Sequence, residues 1–124
     1  MYLLDTHVLI WWLTQATELP IEIRRLIEDE NKIFFVSIAS AWEMAIKRNL
    51  GKLETPDDLE EALRQNQFQA LPINFMHIEK LAVLPNHHRD PFDRMLIAQA
   101  ISENLTIITH DSQFQPYGCS LILF

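Results

Sequence analysis

Glycine is scarce in this sequence, with only Gly51 and Gly118 among 124 residues. Loops that cradle phosphate groups need several glycines close together, because glycine lets the backbone approach the ligand. Two widely separated glycines cannot build such a loop. The sequence therefore excludes the nucleotide-binding folds that depend on one.

Cysteine and long apolar runs are equally scarce. The single Cys119 cannot form an internal disulfide, which fits a reducing compartment. The uncharged run from Thr6 to Thr17 is shorter than the about 20 apolar residues that a membrane-spanning helix needs. The first residues, Met1 to Asp5, lack the basic segment and apolar run of a signal peptide. We therefore expect a cytoplasmic protein that does not contact a membrane.

Positive charge is in deficit, with 10 Lys and Arg against 17 Asp and Glu and a net charge of −7. Proteins that bind nucleic acid through phosphate contacts are usually basic, so the balance counts against an ordinary DNA-binding module. Several of the acidic residues lie in the block from Glu54 to Glu61, a pattern typical of a solvated helix face. Other acids stand alone among apolar residues, where a carboxylate is costly unless something compensates its charge.

Short apolar segments alternate with amphipathic or capped segments along the whole chain. Hydrophobic residues make up 48% of the sequence, enough for a core, and the length fits one domain over residues 1–124. The predicted strands are 2–4, 33–36, 68–73, 106–109 and 120–123. The predicted helices are 6–13, 20–31, 37–49, one starting at 55, 75–84 and 90–104. This alternation predicts a three-layer α/β/α fold with a central, mostly parallel sheet.

Acidic residues fall where such a fold binds ligands, at the carboxyl ends of its parallel strands. Asp5 closes the first predicted strand, and Asp111 follows the strand that ends at Thr109. Glu43 and Asp93 lie on predicted helices among apolar neighbours. Buried carboxylates repel one another unless a cation joins them. Carboxylate oxygens suit Mg²⁺, which activates water and neutralises charge on a phosphate under attack.

The four segments that carry these acids resemble the motifs of PIN-domain proteins, and within that family the VapC-type toxins of bacterial toxin–antitoxin pairs. The segments are Leu3-Leu4-Asp5-Thr6-His7-Val8-Leu9-Ile10-Trp11-Trp12, Ser40-Ala41-Trp42-Glu43-Met44, Asp90-Pro91-Phe92-Asp93-Arg94-Met95-Leu96-Ile97-Ala98-Gln99-Ala100 and Thr109-His110-Asp111-Ser112-Gln113-Phe114. They occur in the family's order, and the resemblance runs from residue 1 to about residue 115. Four motifs in sequence are far more specific than one.

The resemblance implies an endoribonuclease that depends on Mg²⁺ or Mn²⁺, forms a homodimer and is inhibited by an antitoxin covering its site. By motif position, it makes Asp5, Glu43 and Asp93 an acidic triad of catalytic metal ligands. Asp111 matches a fourth acid that varies more within the family.

Two hydroxyl residues flank these acids in the motifs. Thr6 and Thr109 match positions suited to orienting ligands or waters from behind. Thr6 is also available as the N-cap of the helix that follows the first strand.

The acids also have purely structural interpretations. Asp5 could cap the next helix. The pattern Ser40-x-x-Glu43 is a capping box, and Glu43 can pair with Lys47 one turn later for about 0.3–0.5 kcal/mol. The capping box disappears if the helix begins at Ser37. Asp111 could serve only as the first residue of an Asx turn.

Asp90 and Asp93 compete for one role at the start of the same predicted helix. Asp90 precedes Pro91, which favours the first helical position, so Asp90 is predicted as the N-cap. Asp93 lies one turn further on, where its carboxylate can reach the strand ends. We therefore assign Asp93 to the metal and Asp90 to the cap.

The histidines and tryptophans have simpler interpretations than metal or RNA binding. Zinc is not expected, because the histidines and Cys119 show no tight ligand spacing. The segment His87-His88-Arg89 is interpreted as a solvated loop or as a phosphate contact. Trp11, Trp12 and Trp42 are predicted to pack in the core or in a dimer interface rather than to stack on bases.

Two other functions are compatible with parts of the sequence pattern. A phosphoacceptor signalling domain needs paired acids after the first strand and a lysine after a late strand, and no lysine follows Lys80. A catalytically inactive PIN fold that binds RNA or protein stays open, although all four acids are present.

Overall fold

The structure is a computed structural model that describes residues 1–53 and 55–124. Within these residues a single five-stranded sheet has the order β3-β2-β1-β4-β5. The strands are β1 (Tyr2–Leu4), β2 (Phe34–Ser37), β3 (Gln69–Leu71), β4 (Thr106–Thr109) and β5 (Leu121–Leu123). All neighbouring strands are parallel, which confirms the predicted sheet.

Six α-helices and one 3-10 helix are found in the described residues. They are α1 (Thr6–Leu13), α2 (Ile21–Glu28), α3 (Ile38–Asn49), α4 (Leu59–Gln65), α5 (Phe75–Ala82), α6 (Pro91–Glu103) and the 3-10 helix Ser112–Tyr117. None of the helices in this part of the chain is long and apolar enough to cross a membrane.

Consecutive strand residues point to opposite faces of the sheet and build two cores. Leu4 and Ile108 belong to one cluster of buried residues, which α1, α2 and α3 cover. Leu3 and Ile107 belong to a second cluster, which α6 and the 3-10 helix cover. The three-layer α/β/α arrangement is therefore confirmed.

The strand order reverses direction at β1, which lies between β2 and β4. The chain runs outward from β1 through β2 to β3, and later continues on the other side of β1 with β4 and β5. Such a reversal leaves a crevice at the carboxyl ends of the central strands, where α/β folds bind ligands. Asp5 directly follows β1 and therefore lies at this crevice.

Side-chain caps fix where the helices beside the crevice begin. Ser37 accepts a hydrogen bond from the Ala39 N–H at 3.0 Å, so α3 begins at Ile38. Ser40 then lies inside the helix, and the capping box considered for Glu43 is absent. Asp90 caps α6, as predicted.

The helix predicted over 6–13 is confirmed by α1, but the N-cap suggested for Thr6 and one predicted helix start are wrong. Thr6 is the first residue of α1 and Asp5 occupies the N-cap position, because β1 ends one residue before the helix. The helix predicted from Thr55 begins only at Leu59, because the carboxylate of Asp58 accepts the Glu61 N–H and supplies the cap. The predicted acidic helix face starts at Glu54, which lies outside the described residues, and Asp57 precedes α4.

Candidate metal centre

Asp5 is held at the end of the central strand and is 3% exposed. Thr109 Oγ1 donates a hydrogen bond to its Oδ2 at 2.7 Å. Its Oδ1 is buried without a partner, and its side chain makes no capping hydrogen bond to α1. Burial raises the pKa of Asp5, and the Thr109 hydrogen bond offsets only part of this rise. Asp5 thus occupies the N-cap position of α1 through its backbone only, and its carboxylate does not cap the helix.

Glu43 reaches the crevice from α3 and is 4% exposed. Its Oε2 lies 3.0 Å from Lys47 Nζ, so the predicted pair one turn along the helix is present. Its Oε1 is buried without a hydrogen-bond partner. One carboxylate oxygen of Glu43 thus pairs with Lys47, and the other is available to a ligand.

Asp93 lies in the first turn of α6, directly behind its cap. Asp90 Oδ1 accepts the N–H groups of Phe92 at 2.8 Å and of Asp93 at 3.0 Å, so Asp90 performs the capping role assigned to it. Burial raises the pKa of Asp93 to about 8, and repulsion from neighbouring acids adds to the rise. These neighbours are Asp5, Asp90, Glu43 and Asp111.

The two carboxylate oxygens of Asp111 have different surroundings, one in a turn and the other at the crevice. Oδ1 accepts the Gln113 N–H at 2.9 Å, so the Asx turn considered for Asp111 is present. Oδ2 lies 3.3 Å from His88 Nε2, and the same nitrogen lies 2.9 Å from Asp93 Oδ2. The potential ligand atoms of His88, Asp93 and Asp111 all lie within 4.8 Å of one another.

Asp5 and Glu43 do not belong to that tight group in the described part of the chain. Their connection to Asp93 is electrostatic, since both raise its pKa by charge repulsion. The structure thus brings the four predicted acids to one crevice, where Asp93 and Asp111 share His88 as a neighbour.

The donor set fits a hard divalent cation. Two carboxylate oxygens at the crevice, Asp5 Oδ1 and Glu43 Oε1, are buried and lack hydrogen-bond partners. A buried polar atom without a partner is costly, and a cation that takes oxygen ligands would satisfy both. A cation would also remove the repulsion that raises the Asp93 pKa. Asp5, Glu43, Asp93 and Asp111 are the residues that could hold it.

The sequence profile described as PIN domain matches residues 2–118. This chain belongs to the PIN-domain family. The match covers nearly the whole chain, so all four acids lie inside the PIN domain.

Solved structures of low sequence identity share this PIN-domain fold. A chain of the VapBC2 complex from Rickettsia felis, bound to a DNA fragment from its promoter, aligns with a TM-score of 0.74 at 14% identity; 98% of this chain and 97% of that chain are covered. DNA-bound VapBC from Salmonella typhimurium aligns with a TM-score of 0.72 at 18% identity, and the alignment covers 98% of this chain and 96% of that chain. FitAcB from Neisseria gonorrhoeae aligns with a TM-score of 0.70 at 20% identity, again over 98% of this chain and 96% of that chain. No curated protein sequence matches the chain.

The two hydroxyl residues of the PIN-domain motifs differ in what they contact. Thr109 touches Asp5 directly and also accepts the Asp111 N–H at 3.0 Å, so it connects two of the acids. The Thr6 hydroxyl instead donates to Ser40 Oγ at 2.8 Å and joins α1 to α3.

Sequence reasoning missed His88 at the crevice of this PIN domain. The interpretation of His87-His88-Arg89 as a solvated loop fits His87 and Arg89, but His88 is 8% exposed and faces two carboxylates. The available signal was its position two residues before the cap Asp90, whose N–H it accepts. Arg94, which follows Asp93 in α6, donates to the Pro85 carbonyl at 2.8 Å.

The tryptophans separate into two groups. Trp11 and Trp12 pack against the first core, as predicted. Trp42 is 61% exposed, so it is not a core residue, and its ring meets Phe92 edge to face at 5.1 Å between centroids.

Proposed function

We propose that this PIN domain is an endoribonuclease that depends on Mg²⁺ or Mn²⁺ and acts as the toxin of a toxin–antitoxin pair. The observation that carries the proposal is the set of buried carboxylates at one crevice, with Asp5 Oδ1 and Glu43 Oε1 lacking partners. Such a set is stable only if the charges are compensated, and nucleases compensate them with a cation that also contacts the phosphate.

When bound, the cation supplies an activated water and neutralises charge on the phosphodiester under attack. Asp5 and Asp93 would hold it, with Glu43 and Asp111 as ligands directly or through water. Thr109 occupies Asp5 Oδ2, which leaves Oδ1 for the ligand. Where Glu43 contacts the cation through the attacking water, its free oxygen is placed to accept the proton of that water. The water oxygen bonds to phosphorus and the bond to the 3′ oxygen breaks. The leaving 3′ oxygen takes a proton from solvent, so the products are a 5′-phosphate and a 3′-hydroxyl.

An antitoxin partner is supported by the surface beside the centre. Helix α3 carries exposed apolar residues at one-turn spacing, Ile38, Trp42 and Ile46, next to Glu43. Such a stripe is typical of a protein-binding surface. The net charge of −7 suits a basic segment of an inhibitor, and the solved structures that share the fold come from toxin–antitoxin complexes. We propose a homodimer as the form that binds the antitoxin.

The activity is tested by incubating the purified protein with total bacterial RNA in Mg²⁺, in Mn²⁺ and in EDTA. We expect cleavage with either metal, none in EDTA, and fragments sensitive to an exonuclease that requires a 5′-phosphate. Asp93→Asn should abolish cleavage, while the matched variant Glu103→Gln, which alters an acid outside the crevice, should retain it. Retained cleavage by folded Asp93→Asn at saturating Mg²⁺ would contradict the proposal. A folded wild-type protein that binds RNA without cutting it would favour the inactive module.

The partner is tested by searching for a short reading frame directly upstream of the gene and co-expressing its product with this protein. We expect a complex that survives gel filtration and suppresses cleavage. Light scattering of the protein alone measures its mass, and twice the chain mass is expected. A monomer, or a complex that leaves cleavage unchanged, would contradict this part of the proposal.

A further inference from the structure

His88 lies in the connection between α5 and α6 and is buried against the candidate metal centre. Its ring meets Phe114 edge to face, with the ring centroids 5.9 Å apart and the planes at 87°. The hydroxyl of Tyr117 accepts the N–H groups of His87 at 3.1 Å and of His88 at 2.7 Å. The ring is therefore held by contacts that do not involve the carboxylates.

One hydrogen bond assigns the tautomer of His88. Its Nδ1 accepts the backbone N–H of Asp90 at 3.2 Å. A neutral imidazole carries one proton, so the proton must reside on Nε2 when Nδ1 accepts. Because Asp90 is itself fixed as the cap of α6, the helix that presents Asp93 also sets the tautomer of His88.

The protonated Nε2 faces two carboxylates. It lies 2.9 Å from Asp93 Oδ2 and 3.3 Å from Asp111 Oδ2, and its N–H is aligned with neither oxygen. A nitrogen that carries a proton has no lone pair for a metal ion. The tight group of His88, Asp93 and Asp111 therefore consists of two carboxylates and one donor, rather than of three metal ligands.

We propose that His88 is a positioning residue whose Nε2–H is shared between Asp93 Oδ2 and Asp111 Oδ2, so that it orients both carboxylates and leaves the other oxygen of Asp93 to the cation, without ligating the cation itself. This inference rests on the proposed function of the centre. A neutral donor between two acids stabilises their ionised forms without adding a charge that would compete with a divalent cation. Fixing carboxylate ligands from behind is what such partners do in metal sites.

His77 offers a matched control within the same chain. Its Nδ1 also accepts a backbone N–H, from Asn74 at 3.2 Å, and its Nε2 lies 2.8 Å from Glu103 Oε1. It has the same tautomer and a carboxylate partner but lies away from the four predicted acids. A change at His77 therefore reports the loss of a buried imidazole without a loss at the centre.

The first experiment uses three variants, His88→Gln, His88→Phe and the control His77→Gln. The Gln amide keeps an N–H donor near the position of Nε2, whereas Phe keeps the ring shape without a donor. Mn²⁺ affinity is measured by calorimetry and RNA cleavage by initial rates, with folding checked by circular dichroism. We expect about a 10–100-fold loss of Mn²⁺ affinity in His88→Phe, recovery to within about threefold in His88→Gln, and no change in His77→Gln.

The second experiment needs no variant. Long-range ¹H–¹⁵N correlation spectra of the wild-type protein identify the tautomer of each histidine with and without Mg²⁺. We expect the Nε2–H tautomer of His88 in both conditions. A spectrum in which Nε2 loses its proton on adding Mg²⁺ would show a metal ligand and would overturn the proposal.

The outcomes separate this inference from the proposed function. If wild type binds Mn²⁺ and cleaves RNA but His88→Phe does both equally well, the role of His88 is refuted and the proposed function stands. If wild type binds no Mn²⁺, both are refuted. If Asp93→Asn loses binding while His88→Gln recovers it, both are supported.

Discussion

Two buried histidines of this PIN domain share one local design and differ in what surrounds them. His77 and His88 each accept a backbone N–H on Nδ1 and present Nε2 to a carboxylate. His77 meets one acid, Glu103, which is partly exposed to solvent and forms a normal hydrogen bond. His88 meets two acids at a crevice where two other carboxylate oxygens lack partners.

The difference separates a structural polar contact from a functional one. At His77 each polar atom finds a partner within α5 and α6 or at Asn74, as stability requires. Around His88, protein groups leave part of the negative charge of the crevice carboxylates uncompensated. A protein selected only for stability would not keep such a costly arrangement. A group of buried acids that the protein does not satisfy by itself is therefore the better indicator of a site than a buried histidine.

The largest expected difference between the two regions is in catalysis. Asp93→Asn should reduce RNA cleavage at least about 100-fold, since it removes a proposed ligand and the charge that binds the cation. Glu103→Gln, the corresponding change beside His77, should leave the cleavage rate within about twofold. Initial rates at saturating Mg²⁺ measure both. Equal losses in the two variants would show that the comparison between the regions is false.

The pH dependence of stability should show the next difference between the His88 region and the His77 region. The pKa of Asp93 is raised from 3.8 to about 8 in the folded protein, so between these values the folded chain holds a proton that the unfolded chain releases. The stability of the metal-free protein should therefore fall as pH rises from about 4 to 8. Asp93→Asn should flatten this fall and raise the melting temperature at pH 8 by about 2–6 °C. Thermal melts in EDTA across this range measure it, and an unchanged slope in Asp93→Asn would contradict the assignment.

The stability of histidine variants tests a further difference between the two regions. His77→Phe should lower the free energy of unfolding by about 1–3 kcal/mol, because the Asn74 N–H loses its buried acceptor and Glu103 loses its donor. His88→Phe should cost less, because its Nε2–H is aligned with neither acid. Urea denaturation in EDTA measures both. A larger loss for His88→Phe would assign that residue a mainly structural role.

The hydrogen bond from Thr109 to Asp5 tests whether a second neutral donor supports the centre. Thr109→Val keeps the shape and removes the donor, so we expect the pKa of Asp5 to rise further and Mg²⁺ affinity to fall about tenfold. Calorimetric titration with Mg²⁺ measures the affinity, and Thr6→Val, whose hydroxyl contacts Ser40, is the matched control. Similar losses in both variants would count against a specific effect on Asp5.

The smallest expected effect is at Lys47, whose ammonium group pairs with Glu43. Lys47→Gln should change the free energy of unfolding by at most about 0.5 kcal/mol, as for other pairs one helical turn apart. Cleavage should change no more than about threefold, because the free oxygen of Glu43 is the proposed functional atom. A rate loss as large as that of Asp93→Asn would assign Lys47 a direct role in the reaction.

Much of the fold could be predicted because its signals are local and strong. The strand ending at Asp5, the strand 106–109 and the cap at Asp90 before Pro91 all follow from short patterns in the sequence. The start of α4 could not be predicted this way. Thr55-Pro56 and Asp58 both offer valid starts, and only the packing of the chain selects Asp58.

Only the acidic residues of the candidate centre could be predicted from the sequence. Asp5, Glu43 and Asp93 are carboxylates in apolar surroundings, a contrast that is visible in the sequence. His88 carries no such contrast, because it adjoins His87 and Arg89 in a polar segment. Its burial depends on Phe114 and Tyr117, which are distant in sequence. The exposure of Trp42 likewise depends on tertiary packing rather than on its apolar neighbours.

Anomalous diffraction from crystals grown with Mn²⁺ tests the central claim most directly. We predict a peak at the carboxyl end of β1, within bonding distance of carboxylate oxygens of Asp5 and Asp93 and without a bond to His88. The same crystals of Asp93→Asn should lack this peak. A wild-type crystal with no Mn²⁺ peak among these acids, at a metal concentration that supports RNA cleavage, would contradict the account.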